Sequence, residues 1–254
     1  MKDMIVLDRT DSTNRYMSAL SEKGEVPHGT TVIARSQTAG RGQRGNTWES
    51  EPGSNITMSI LLRPCSIQAR EQFYITEIVA LAIVDILDSI IRPEDGCAVT
   101  IKWPNDIYVG NKKICGTLIE NTLCGVNVSR SIAGIGLNIN QGEFVSDAPN
   151  PVSVLNVTGT RHDVMATAER LASRVVTLFG QYDRPSMYGR LHDLYRSRLW
   201  RSDGFYKYRD ASSGELFDAE IADVEPMGFL VLRTHGGELR RYAFKEVSAV
   251  LEDF

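Results

Sequence analysis

The sequence predicts an α/β domain of about two hundred residues followed by a compact β unit. Three observations carry this. Short β-type runs alternate with helix-period segments as far as Trp200. The longest helical candidate, residues 67–91, places Phe73, Ile78, Leu81, Ala82 and Val84 on a wide apolar stripe, as a helix against a sheet requires. After Trp200 five short β-type segments crowd together, punctuated by Ser212-Ser213-Gly214, Pro226-Met227-Gly228 and Gly236-Gly237.

In chain order, a strand is expected over residues 4–9. Asp11, Ser12 and Thr13 then offer capping oxygens to a helix over 14–21. A strand follows at 30–35. Residues 36–54, rich in Gly, Ser, Thr and Asn, read as a loop. A strand at 55–62 sets Ile56, Met58 and Ile60 on one face. After the long helix, Asp95-Gly96 turns the chain into a strand at 97–103. Residues 106–109 and 113–120 form a hairpin about Gly110-Asn111-Lys112. The next strand region, 126–139, carries Gly134 and Gly136 where the backbone has to approach something closely. A loop over 141–151 leads to helices at 165–179 and 188–200. The terminal segments 204–209, 215–224, 228–234, 239–244 and 247–251 suggest a small barrel.

Composition excludes several classes. The net charge of −4 argues against broad attraction to nucleic acid. Cys65, Cys97, Cys115 and Cys124 contain no CxxC pair, which disfavours zinc or iron–sulfur ligation. No secretory apolar segment opens the chain, and Glu77, Asp85 and Asp88 interrupt its most apolar helix. A soluble, cytoplasmic protein without membrane or nucleic-acid partners is the expectation.

Two clusters carry the chemistry. In Gly40-Arg41-Gly42-Gln43-Arg44-Gly45-Asn46-Thr47-Trp48, glycines let backbone amides approach a ligand while guanidinium groups meet its anionic oxygens. Lys102-Trp103-Pro104-Asn105-Asp106 ends a strand with a point charge suited to phosphate. The first cluster has no Gly-Lys-Ser/Thr ending of a P-loop, and neither it nor Gly134-Ile135-Gly136 is a dinucleotide fingerprint. Together they point to a phosphorylated or adenylated small molecule.

On these clusters, with Asp11-Ser12-Thr13-Asn14, Gln37, Lys113 with Gly116 and Glu120, and Gly134-Ile135-Gly136-Leu137-Asn138, the chain resembles the biotin–protein ligases (holocarboxylase synthetases). The resemblance implies a class II aminoacyl-tRNA synthetase-like, biotinyl/lipoyl ligase catalytic domain over residues 1–202, with a mixed sheet and flanking helices. An SH3-like β-barrel over 203–254 completes it. It also implies ATP-dependent formation of biotinyl-5′-AMP and transfer of biotin to a lysine of a biotin carboxyl carrier protein. ATP and Mg²⁺ are the implied cofactors, without assigned metal ligands. A homodimer paired through a sheet edge is a further implication. With the recognised domain opening near Met1, a ligase without the DNA-binding module of bifunctional members is expected.

The implied roles fall on named residues. Lys102 and Arg41 are the catalytic candidates. Ser12, Thr13, Asn14, Gln37, Gly40, Arg41, Lys113 and Gly116 belong to the biotin side. Gly42, Gln43, Arg44, Trp48, Lys102, Asn105 and Asn138 belong to the ATP and adenylate side. Trp48 either stacks on adenine or anchors the end of the loop, Ser12 and Thr13 could instead cap a helix, and Asp106 either orients Lys102 or attracts the acceptor lysine. The family often has arginine where this chain has Gln43. A lipoate or octanoate ligase, and a biotin-dependent regulatory protein without catalysis, are the alternatives.

Overall fold

A computed structural model describes residues 4–92, 98–145 and 150–251, apart from the Arg44 side chain. The predicted turn at Asp95-Gly96, Cys97 and part of the 141–151 loop lie outside the described residues. The first sheet contains β1 (Met4–Leu7), β2 (Thr31–Ala34), β3 (Ile56–Leu62), β4 (Val99–Lys102), β5 (Asp106–Val109), β6 (Lys112–Cys124) and β7 (Asn127–Leu137). Its order is β1-β2-β3-β7-β6-β5-β4. β1 and β2 run parallel and the other pairs antiparallel, so the sheet is mixed, as expected.

The period of two decides which side each helix covers. α1 (Thr13–Lys23) buries Met17 against Val32, Leu61 and Ile132. Their chain neighbours Ile33, Ile60 and Ala133 join the larger core on the opposite face, with α2 (Phe73–Asp88) and α4 (Val164–Tyr182). α1 contacts β2, β3 and β7, and so leaves the β4–β6 end of its face uncovered by helix. That open end is where the site forms.

α2 starts later than the predicted 67–91 helix. Val128 N donates to Ile67 O and Ala69 N to Val126 O, so this stretch is tied to the start of β7. A single 3-10 turn, Ala69–Glu71, then precedes the helix. α3 (Val154–Thr158) was not expected; Ser153 caps it by accepting from Asn156 N. α5 (Tyr188–Ser197) is shorter than the predicted 188–200 helix, because residues 198–200 pair with β4.

The terminal segments are β8 (Tyr206–Asp210), β9 (Leu216–Val224), β10 (Leu230–Thr234), β11 (Leu239–Tyr242) and β12 (Val247–Ala249). They do not close into the expected SH3-like barrel. The sheet is open, in the order β11-β10-β9-β8-β12, with β11 paired only to β10 and β12 only to β8. Closure would require β11 and β12 to share a ladder. Instead the chain leaves the sheet between them, with Lys245 left-handed at φ 74 and the Phe244 ring 6.4 Å from Trp103.

A buried polar bridge fastens the two sheets' elements together. Glu77 on α2 is fully buried, and its Oε1 lies 2.8 Å from His192 Nδ1 on α5. His192 Nε2 lies 2.8 Å from Asp223 Oδ1 on β9. The two carboxylates raise His192 to about 9, against a burial penalty on its cation. Burial pushes the Glu77 carboxyl up while His192 pulls it down. A histidine raised on folding contributes stability that is complete below its unfolded value and lost as pH rises through its folded one. The unfolding midpoint of the native chain is therefore expected to fall between about pH 7 and 10 relative to His192→Gln. Thermal melts across that range check this; parallel profiles for the two proteins would refute it.

Candidate active site

The register brings the functional side chains to one face. Ser59 on β3 stands opposite Gly134 on β7, Gly134 opposite Leu118 on β6, and Gly136 opposite Gly116. Gly116 faces Asp106 on β5, and Asp106 faces Lys102 on β4. Partners directly opposite share a sheet face. All of these stand on the α1 side, around a cavity of ≈760 Å³ that the 36–54 segment overhangs. That volume is in the range of small-molecule and cofactor sites.

One wall is a hydrogen-bonded chain of hydroxyls and amides that ends on the Glu120–Arg41 ion pair. Gln37 Oε1 accepts from Thr13 N at 2.8 Å and Thr13 Oγ1 at 3.3 Å. Ser59 Oγ, fully buried, lies 2.8 Å from Thr13 Oγ1 and 2.6 Å from Asn14 Oδ1. Asn14 Nδ2 donates to Glu120 Oε2 at 2.7 Å, and Glu120 Oε1 accepts from Arg41 at 3.1 Å. Ser12 occupies the N-cap position of α1, yet its side chain makes no capping bond; Asp11 Oδ1 accepts from Ser12 N instead. The Ser12 hydroxyl is thus not committed to capping.

The second wall is cationic and aromatic. Lys113 Nζ lies 2.7 Å from Asp106 Oδ1 and 5.7 Å from the Trp48 ring. Lys102 Nζ donates to Tyr108 Oη at 2.9 Å. Asp106 therefore pairs with Lys113 and not with Lys102. The glycine-rich segment closes as a small hairpin: Trp48 N donates to Gly40 O, Gly42 N to Asn46 O, and Arg41 bridges to Thr47.

The close approaches foreseen at two glycines are to Asn14 and Trp48. A Cβ on Gly134 would lie 2.3 Å from Asn14 Oδ1, and one on Gly136 2.4 Å from Trp48 Cε2. Trp48 thus anchors the hairpin against the sheet while still lining the cavity. Its Nε1 is buried without a hydrogen-bond partner. Asn138 donates through Nδ2 to Val152 O but leaves Oδ1 buried and unpartnered.

Ser12, Thr13, Asn14, Gln37, Arg41, Gly42, Gln43, Trp48, Lys102, Asn105, Lys113, Gly116 and Asn138 all line this cavity. Gly40 does not; a Cβ there would meet Trp48 O at 2.6 Å, so it serves hairpin closure. Asn105 commits Nδ2 to Thr117 O, tying its turn to β6. Ser59 and Tyr108 escaped the sequence reading. A serine between Met58 and Ile60 in a strand buried on both faces was the available signal for Ser59. Nothing local marked Tyr108.

Fold and cavity define an α/β protein whose glycine-rich hairpin overhangs a cavity lined by Lys102, Lys113 and Arg41. The biotin/lipoate A/B protein ligase family matches residues 6–138. The biotin–[acetyl-CoA-carboxylase] ligase of Paracoccus denitrificans is 34% identical over 182 residues, 70% of this chain and 73% of that protein. The bifunctional ligase/repressor BirA of Bacillus spizizenii is 37% identical over 138 residues, 54% of this chain. That alignment spans only 41% of the BirA chain. The biotin protein ligase of Aquifex aeolicus, solved with biotin and ATP, has the same fold (TM-score 0.76, 22% identity, 99% of this chain and 100% of that one). The chain belongs to the biotin/lipoate A/B protein ligase family, as the motifs led one to expect.

Proposed function

We propose that this chain activates biotin with ATP and transfers it to a lysine of a biotin carboxyl carrier protein. The observation that carries the proposal is one cavity joining a neutral hydroxyl and amide wall to Lys102, Lys113 and Arg41. A ureido ring needs both donors and acceptors, which Ser12, Thr13, Asn14 and Gln37 supply. A carboxylate approaching a triphosphate brings two anions together, which the cationic wall relieves. The biotin carboxylate attacks the α-phosphorus, pyrophosphate leaves, and the acceptor ε-amine then attacks the acyl carbon to release AMP. Lys102 would neutralise the α-phosphate in both steps, with Arg41, paired to Glu120, as a second cationic group on the cavity. Trp48 offers a ring face to adenine, and the unpartnered Asn138 Oδ1 can accept from its amino group.

ATP would bring Mg²⁺ on its phosphates as a charge neutraliser. Among the described residues no cluster of three His, Cys, Asp or Glu side chains could hold a metal, so no ligand set is assigned. No described helix is long and apolar enough to cross a membrane. Residues 1–202 are taken as the catalytic unit and 203–254 as its companion, a division supported by the change of sheet after α5.

Biotin-dependent ATP/pyrophosphate exchange, followed by label transfer to an acceptor domain, tests the proposal. Lipoate and octanoate run in parallel decide against the sister activity. Exchange with either of them and none with biotin would reassign the substrate.

Gln43 lines the cavity as a neutral amide. Gln43→Arg is expected to slow release of biotinyl-AMP about 3- to 10-fold, because a guanidinium adds a charge-assisted contact in a partly solvated place. Acyl transfer in a single turnover should change little. Stopped-flow release measurements check this, and an unchanged rate would mean that position 43 does not contact the intermediate.

A further inference from the structure

Lys102 stands at the end of β4, where a flexible four-carbon stem leaves its amine free to wander unless something holds it. Two rings do so. Tyr108, 2% exposed, accepts from Lys102 Nζ through its phenol oxygen at 2.9 Å, and its ring centroid lies 4.8 Å from the same amine. Trp200, 8% exposed, presents its ring 5.6 Å from Lys102 Nζ. The two rings are 5.5 Å apart, so the ammonium rests beside a pair of aromatic faces and one oxygen.

Trp200 belongs to the segment that leads from α5 towards β8. Ile101 N donates to Arg198 O at 2.7 Å and Trp200 N to Ile101 O at 2.8 Å. This segment therefore lies along β4, one residue from Lys102. The indole is fixed again at its rim, where Nε1 donates to Asn111 Oδ1 at 3.1 Å, and on its face, where the Arg201 guanidinium lies at 4.1 Å.

We propose that Tyr108 and Trp200 are positioning residues that aim the Lys102 amine, and that the segment joining the two sheets thereby sets the geometry of adenylation. The inference rests on the assignment of Lys102 to that step. Holding a charged group in its reactive position affects turnover far more than ground-state binding of the neutral biotin head, since a misplacement of about 1 Å can cost on the order of a hundredfold in rate.

Pyrophosphate exchange by Tyr108→Phe, Trp200→Leu, Trp200→Phe, Lys102→Arg and Lys102→Ala tests this, with thermal melts to establish folding. Tyr108→Phe keeps the ring and removes the acceptor. It is expected to lower kcat about tenfold with KM for biotin within about twofold. Trp200→Leu should do the same and Trp200→Phe should recover part of the loss. In a Lys102→Arg background, neither ring substitution should reduce the rate further, because the group they aim has been replaced. Full kcat in Tyr108→Phe and Trp200→Leu, beside an inactive Lys102→Ala, would overturn the positioning role alone. Losses that multiply undiminished in the Lys102→Arg background would overturn it as well. Full activity in Lys102→Ala would overturn the assignment of Lys102 itself. Should Trp200→Leu fail to fold, Tyr108→Phe decides, since it removes one oxygen.

Discussion

Lys102→Ala is expected to abolish adenylate formation, with exchange falling at least a hundredfold, while the protein stays folded. The first part follows from charge. Transfer of a carboxylate to a phosphoryl centre develops negative charge that a fixed ammonium stabilises, and removing one such donor typically costs about 10²–10³ in rate. Lys113 compensates poorly for the loss, because its charge is offset by Asp106 at 2.7 Å. The second part follows from the modest contacts that are lost. Lys102 gives up one hydrogen bond to Tyr108 and two cation–ring contacts, which amounts to about 1–2 kcal/mol. For a chain of this size that lowers the melting temperature by a few degrees, roughly 2–8 °C. Exchange and melting measured on the same preparation separate the two effects. Near-normal exchange in the folded variant would remove Lys102 from the chemistry.

The legible parts of this protein were those written locally. The alternation of Ile56, Met58 and Ile60 announced β3, and the turn at Gly110 announced the β5–β6 hairpin, because a period of two and a left-handed glycine at φ 57 are short-range properties. The glycine-rich run and the Lys102–Asp106 cluster pointed to residues that line one cavity, since each cluster is carried within a few residues. Register was not legible. That Gly116 stands opposite Gly136, and Gly134 opposite Leu118, depends on the β6–β7 ladder, whose register shifts between Thr122 and Leu123. The same blindness placed Asp106 near Lys102 as an ambiguous partner, whereas its pairing to Lys113 depends on how β5 and β6 meet. The expected barrel failed for a related reason. Five strands could be counted from their patterns, yet closure turns on whether β11 and β12 meet, and the Phe244-Lys245 excursion towards Trp103 keeps them apart. Tyr108 and Trp200 escaped because Lys102 recruits them from two different segments, one beyond α5.

The two close-approach glycines should divide the site experimentally. Gly136→Ala places a methyl 2.4 Å from Trp48 Cε2 and 2.5 Å from Nε1, so the indole must leave its seat on β7. Trp48 belongs to the overhanging hairpin, and it can swing away with small cost to the sheet. The expected result is a rise of at least about tenfold in KM for ATP with biotin affinity changed less than about threefold, since aromatic stacking on a base is worth about 1–3 kcal/mol. Gly134→Ala acts on the other wall. Its methyl would lie 2.3 Å from Asn14 Oδ1, and Asn14 cannot retreat easily, being bonded to Ser59, Leu118 and Glu120 in a buried position. Overpacking such a place costs about 1–3 kcal/mol, and the displaced amide carries the Ser59 and Thr13 hydroxyls with it. Gly134→Ala should therefore lower the melting temperature by several degrees, roughly 2–12 °C, and weaken biotin binding at least about tenfold. Calorimetric titration with biotin and exchange assays over a range of ATP read both quantities in each variant. The crossed pattern is the decisive outcome: ATP affected at Gly136, biotin at Gly134. If both substitutions impaired both ligands equally, the cavity would not be divided into a biotin wall beneath α1 and a nucleotide wall beneath Trp48.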